Sequence, residues 1–189
     1  VFRRELDRLL ELRVNVRLRP VLAVDLDRFD VEFAGPDGPG PYQWFGHTST
    51  VRLREELARR GLLGGDDNML SVEAGGELAG RVEWLRRSWG RADTSSCWEI
   101  AIGLFSGFRG RGIGAEAQRL LVEYLFTHTR VERVQATTDP GNVAEQRALE
   151  KIGFEREGLV RRAQWRGGAW HDQLLYSVLR GYPQEENLA

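Results

Sequence analysis

The six residues Arg109-Gly110-Arg111-Gly112-Ile113-Gly114 bring together, at close spacing, the residue types best suited to holding an anion. Glycines let the backbone turn tightly and leave its N–H groups uncovered. Arginines add full charge and fork-shaped donors. Directly after the loop, Ala117, Leu120, Leu121, Tyr124 and Leu125 recur at i, i+3, i+4, i+7 and i+8, the stripe of an amphipathic helix. Its first turn supplies unpaired N–H groups and the positive end of the helix dipole. Before the loop, Ile100, Ile102 and Leu104 mark a strand. A strand, a basic glycine loop and a helix in that order predict a cradle for a pyrophosphate.

Three kinds of ligand carry a pyrophosphate into such a loop. Gly110-x-Gly112-x-x-Ala115 matches the dinucleotide-binding fingerprint. In that fingerprint the loop begins almost at the strand end, whereas Phe105 to Phe108 intervene here, and only one strand–helix–strand unit surrounds the loop. A nucleoside-triphosphate loop is excluded because no Lys-Ser or Lys-Thr follows the glycines. The third kind is coenzyme A. Arg109-x-x-Gly112-x-Gly114 resembles the Arg/Gln-x-x-Gly-x-Gly/Ala loop with which GNAT acetyltransferases bind acetyl-CoA. Downstream, Asn142-Val-Ala-Glu-Gln-Arg-Ala-Leu-Glu-Lys-Ile-Gly-Phe154, then Glu157-Gly158, resembles the signature of the RimJ/RimL-like branch of that superfamily. The segment from Arg166 to Asp172, followed by Tyr176 to Arg180, fits the same branch, so the resemblance covers roughly residues 14–180.

The resemblance implies an N-acetyltransferase that moves an acetyl group from acetyl-CoA to a primary amine by direct attack. It also assigns residues. The strand before the loop, at Ile102, Gly103 and Leu104, would pair with the pantetheine arm. Arg109, Gly110, Arg111, Gly112, Ile113, Gly114 and Ala115 would hold the pyrophosphate, and Asn142 and Arg147 would add cofactor contacts. Asn142 also reads as a helix cap, with Glu145 three residues on completing a capping box. The branch usually carries serine where this chain has Glu145, and some relatives carry a glutamate base where it has Gln164. Glu145 is therefore expected to be structural, because a carboxylate that is not buried is ionised and cannot donate a proton to a leaving thiolate; a catalytic role is the lesser alternative. Glu99 becomes the leading candidate base: its alternation partners Ala101 and Gly103 are small and leave room for a substrate. Its other reading is an exposed glutamate at a strand end. Tyr176 is a candidate acid, with a core tyrosine as the alternative. Trp44, Trp84, Trp165 and Asp172 are candidates for the acceptor cleft, although Trp165 and Trp170 flank a turn and would also pair across it. His47, His128 and His171 lack metal-ligand spacing, and no metal is expected.

Positioning these residues requires β-α-α-β-β-β-α-β-α-β-β, an α/β order with a mixed sheet. Strands are expected near residues 14–21, 69–74, 78–84, 98–104, 131–138, 159–165 and 170–179, with a hairpin turn at Gly75-Gly76. By resemblance this is a single domain with the GNAT fold: a mostly antiparallel sheet of six to seven strands, flanked by helices and splayed at the central parallel strands. Residues 1–13, with the pattern of a short amphipathic helix, would be an extension.

A chain of 189 residues suits one domain. Its net charge of −1 argues against direct nucleic-acid or membrane-surface binding. The lone cysteine, absence of a visible secretory signal and lack of a long apolar run point to a cytoplasmic protein. Expected partners are a small-molecule or peptide amine, with the chain as monomer or homodimer. The reading from a different class is a GNAT-fold domain that binds acyl-CoA without catalysis, as a sensor or assembly part.

Overall fold

A computed structural model describes residues 15–181; the helix expected within residues 1–13 lies outside them. The elements are β1 (Val16–Pro20), α1 (Ala23–Glu32), α2 (Val51–Arg60), β2 (Asp67–Ala74), β3 (Glu77–Ser88), β4 (Ser96–Leu104), a short 3-10 turn, α3 (Ile113–His128), β5 (Arg133–Thr138), α4 (Val143–Lys151), β6 (Glu155–Arg166) and β7 (Ala169–Leu179). Their order is the one the patterning predicts. The seven strands form one sheet, β1-β2-β3-β4-β5-β7-β6. Every neighbouring pair is antiparallel except β4 and β5.

Alternation along the strands sorts the two faces. On β2, Leu70, Val72 and Ala74 join the main core with Val82 and Trp84 of β3, Ile100 of β4, Val134 and Ala136 of β5, and Tyr176 of β7. The α3 stripe Ile113, Ala117, Leu121 and Leu125 and the α4 residue Leu149 cover that face. Met69 of β2 belongs to a second core with Leu26 and Phe29 of α1 and with Phe105. Helices therefore cover both faces. Gly75 and Gly76, at φ 61° and 86°, make the tight turn between β2 and β3.

Asp25 ties β1, α1 and β2 together. Its buried carboxylate accepts from the Leu22 N–H at 2.8 Å, from Ser71 Oγ at 2.7 Å and from both arms of Arg19 at 2.6 and 2.9 Å. Burial alone would push the carboxyl up, but the bonds from Arg19, Leu22 and Ser71 outweigh it and hold Asp25 below its ordinary range. A lowered carboxylate contributes stability above the unfolded-state value and loses it as pH falls through the folded one. Asp25→Ala should cost about 3 kcal/mol at neutral pH, with the gap to the parent closing on acidification. Urea denaturation at both pH values reads this directly.

The parallel contact is brief. β4 and β5 register only at Trp98↔Val134 and Glu99↔Gln135, yet β4 runs on to Leu104 and β5 to Thr138. Beyond Glu99 and Gln135 the two strands part. The splay expected of the fold is present, and the site is built around it.

Candidate active site

Two cavities meet at the splay. One, of about 510 Å3, lies between Ile102 and Leu104 of β4, the loop at Arg109 to Gly114, and the first turns of α4. The other, of about 330 Å3, has Arg81 and Glu83 of β3, Glu99 and Ala101 of β4, and Thr137 and Thr138 of β5 among its walls. Both are also lined by Pro39, Tyr42, Gln43, Ile102, Asn142 and Glu145. The Gly/Pro-rich segment between α1 and α2 is thus a strap over both. It is anchored at Tyr42, whose hydroxyl donates to the Gly141 carbonyl at 2.9 Å and whose carbonyl accepts from Arg166 at 3.0 Å. Arg166 is buried and salt-bridged to Asp139 at 2.6 Å, so the β6–β7 hairpin, the turn after β5 and the strap move as one wall.

The larger cavity fits a pyrophosphate. Gly112 caps α3 in the left-handed conformation, φ 78°, and no side chain occupies the cap. The first N–H groups of this 16-residue helix therefore lack a capping acceptor. A Cβ on Gly110 or Gly112 would meet nothing within 4 Å, so the space is open to a ligand. Arg109, Arg147 and Lys151 line the same cavity. Arg109 braces it as well, donating from Nε to the Leu104 carbonyl at 2.9 Å and from its NH2 arm to the Gly38 carbonyl. Asn142 Oδ1 accepts from the Glu145 N–H at 3.3 Å, capping α4 at the junction of the two cavities.

Ile102, Gly103, Leu104, Arg109, Gly110, Gly112, Gly114, Ala115, Asn142, Arg147, Glu99 and Trp44 all line one cavity or the other. The remaining candidates lie elsewhere. Ile113 is 1% exposed and its side chain belongs to the core under α3. Arg111 lies over the Phe108 ring at 5.8 Å and lines neither cavity. Tyr176 is fully buried with its hydroxyl donating to Glu150 Oε1 at 3.0 Å and lines neither cavity, the placement of the core tyrosine that was its alternative reading. Trp84 packs edge-on against Tyr124 of α3, on the sheet face opposite Glu83, and leaves the acceptor wall. Trp165 and Trp170 form the exposed cross-strand pair, ring centroids 5.5 Å apart, at the hairpin tip. Asp172 accepts from the Arg162 N–H at 2.7 Å and so braces a bulge of β6, where Arg162 sits at φ 49°.

Sequence reasoning missed Arg81, Glu83 and Lys151. Alternation could have found the first two, because Arg81-Val82-Glu83-Trp84 sends the polar pair to the face opposite the tryptophan. Lys151 follows Arg147 at i+4 on α4.

Glu145 is the largest departure from expectation. Burial pushes its carboxyl up, offset in part by the Gln118 side chain. It lines both cavities. A carboxyl raised by burial stabilises the fold below the unfolded-state value and gives up that stability as pH climbs through the folded one. Glu145→Gln should therefore raise the melting temperature at neutral pH, and the difference should vanish below the ordinary glutamate range.

Residues 15–155 match the family described as the acetyltransferase (GNAT) domain. Among curated proteins, a probable N-acetyltransferase of Bacillus subtilis, YjcK, is 38% identical over 77 residues, 41% of this chain and 41% of that protein. The chain thus matches less than half of that relative's length. Mycobacterium smegmatis RimJ in complex with CoA-disulfide superimposes with a TM-score of 0.70 at 26% identity, over 87% of this chain and 81% of that one. A spermidine N-acetyltransferase from Vibrio cholerae, in complex with CoA and spermine, shares the fold with a TM-score of 0.72 at 20% identity, over 87% and 95% of the two chains.

Proposed function

The chain belongs to the GNAT acetyltransferase family, and from that premise we propose that it is an N-acetyltransferase taking its acetyl group from acetyl-CoA, within the RimJ/RimL-like branch. The observation that carries this reading is the meeting of two cavities at the β4–β5 splay, one cationic with an open helix N-terminus, the other acidic. The pyrophosphate of coenzyme A lies against the α3 N-terminus with Arg109, Arg147 and Lys151 around it. The thioester sits at the junction, beside Ile102, Asn142 and Glu145. The amine enters through the second cavity, where Glu99 takes its proton.

In the reaction the amine nitrogen bonds to the acetyl carbon and the carbon–sulfur bond breaks. Glu145, at the junction of the two cavities and with its carboxyl pushed up by burial, gives a proton to the departing thiolate and regains one from solvent. The nitrogen's protons leave through Glu99, so a cationic amine ends as a neutral amide with one net proton released. The structural reading of Glu145 held only for an unburied side chain, and its burial favours the catalytic alternative.

Of the carboxylates in the acceptor cavity, Glu83 is paired with Arg81 and Asp139 with Arg166. Glu99 is ion-paired with the exposed Arg87 at 3.5 Å and accepts from the Gln135 amide. Phe33, Tyr42, Trp44 and Phe45 also line the cavity. A cavity in which Glu83, Glu99 and Asp139 each already face an arginine, lined also by aromatic rings, suits a singly charged amine on an apolar or planar body, by ring contact and cation–π attraction. A cytoplasmic setting accords with the free, buried Cys97.

Thiol release from acetyl-CoA, measured with phenylethylamine, spermidine and a peptide with a free N-terminus, tests the reading. The highest kcat/KM is expected for phenylethylamine. Turnover of the peptide alone would overturn the acceptor class and keep the enzyme. Tight acetyl-CoA binding with no turnover on any amine would favour the acyl-CoA sensor instead.

A further inference from the structure

Glu99 does not hold its own direction. It stands at the last registered pair before β4 and β5 part, opposite Gln135, and Gln135 Nε2 donates to Glu99 Oε2 at 2.9 Å. Gln135 is 5% exposed, and its other amide atom is heavily used. Oε1 accepts from the Trp89 indole N–H at 2.9 Å, from Arg133 Nε at 3.2 Å and from Cys97 Sγ at 3.4 Å. Indole and guanidinium nitrogens can only donate, so the atom they meet must be the carbonyl oxygen and the amide nitrogen must face Glu99. The direction of the amide is thereby set by its partners.

Those partners are fixed in turn. Arg133 is held by both oxygens of Glu157, at 2.5 and 2.6 Å, and Glu157 also accepts from Ser177 Oγ at 2.6 Å. The Arg133 guanidinium lies 5.6 Å from the centre of the Trp89 ring. Trp89 begins the β3–β4 connection, whose ends are joined by its own N–H bonding to the Ser95 carbonyl at 3.0 Å. None of Trp89, Cys97, Arg133, Gln135 or Glu157 lines either cavity. Donors from the β3–β4 connection, β4 and β5 thus converge on the Gln135 carbonyl oxygen, and its amide nitrogen reaches one oxygen of Glu99 at the apex of the splay.

We propose that Gln135 is a positioning residue for Glu99, its amide locked by Trp89, Arg133 and Cys97 so that the carboxylate is aimed into the acceptor cavity, with Oε2 tethered to the amide and Oε1 3.5 Å from the half-exposed Arg87 guanidinium, which the incoming amine displaces. The proposal rests on Glu99 as the proton acceptor. A base must stand within hydrogen-bond reach of the proton it removes, and a third group that orients the base is part of such a constellation. Past this point β4 stays paired to β3 but loses β5, so Glu99 is the last β4 residue with a registered β5 residue opposite to orient it.

The test is a double-mutant cycle in kcat for acetyl transfer. Gln135→Leu should lower kcat by about ten- to a hundredfold, leaving the KM for the amine and the affinity for acetyl-CoA unchanged. In a Glu99→Gln background the same substitution should cause no further loss, because the group it orients is gone. Equal losses in both backgrounds would overturn the positioning role while leaving the slow Glu99→Gln variant as evidence for the base. A Glu99→Gln variant at full rate would remove the base and the proposal together. Trp89→Phe keeps an exposed ring and removes only the indole N–H, so it decides the matter even if Gln135→Leu fails to fold. A fall in kcat dependent on Glu99 supports the lock, and an unchanged kcat overturns it.

Discussion

Gly112→Asp should abolish acetyl-CoA binding while the protein stays folded. Gly112 caps α3 at φ 78°, and a Cβ there would meet nothing within 4 Å. Aspartate is among the side chains that tolerate this left-handed conformation, and it is a favoured helix cap. The substitution therefore satisfies the helix start that the glycine leaves open. It does so by placing a carboxylate where the pyrophosphate should sit, replacing dipole attraction with repulsion between anions. A loss of at least about a hundredfold in affinity, ~2.8 kcal/mol, is expected. Calorimetry gives the affinity and thermal unfolding gives the fold. Unchanged affinity in a folded variant would contradict the cradle.

Glu99→Gln should lower kcat by about 10²- to 10⁴-fold, the usual worth of a general base. Glutamine keeps the shape and can still accept from Gln135 Nε2, so the splay and the cofactor cavity should be undisturbed. It cannot take a proton usefully at neutral pH. The expected signature is slow turnover at parental acetyl-CoA affinity, with a changed pH profile for the activity that remains. An unchanged rate and profile would transfer the proton to another acceptor.

The phosphate loop was legible because its chemistry is local. Glycines at 110, 112 and 114 between a strand and an amphipathic stripe specify an open helix start without reference to the rest of the fold. Asn142 was legible for the same reason: a cap acts within three residues of itself. The element order followed from period-two and period-3.6 patterning, and Gly75-Gly76 marked its hairpin unaided.

What depends on long-range packing was not legible. Burial of Glu145 arises because α4 begins at the junction of two cavities, beside Gln118 of α3, 27 residues earlier in the chain. No local pattern shows that, and it moves the weight from the structural reading of Glu145 to the catalytic one. Trp165 and Trp84 were assigned to the acceptor wall by residue type, yet strand register put one at a hairpin tip and the other under α3. The lock on Glu99 joins residues 89, 97, 133 and 135, which meet only because β5 returns beside β4. The anchors of the strap, Arg109 on one side and Arg166 on the other, needed the folded chain.

The central claim is that the two cavities meeting at the β4–β5 splay receive an acyl-coenzyme A. Calorimetric titration of the purified chain with acetyl-CoA, beside a matched titration with NADH, tests it most directly. The account predicts saturable one-to-one binding of acetyl-CoA in the micromolar range and no binding of NADH. No binding of acetyl-CoA, or equal binding of both, would contradict it and take the assignments at Glu99, Gln135 and Glu145 down with it.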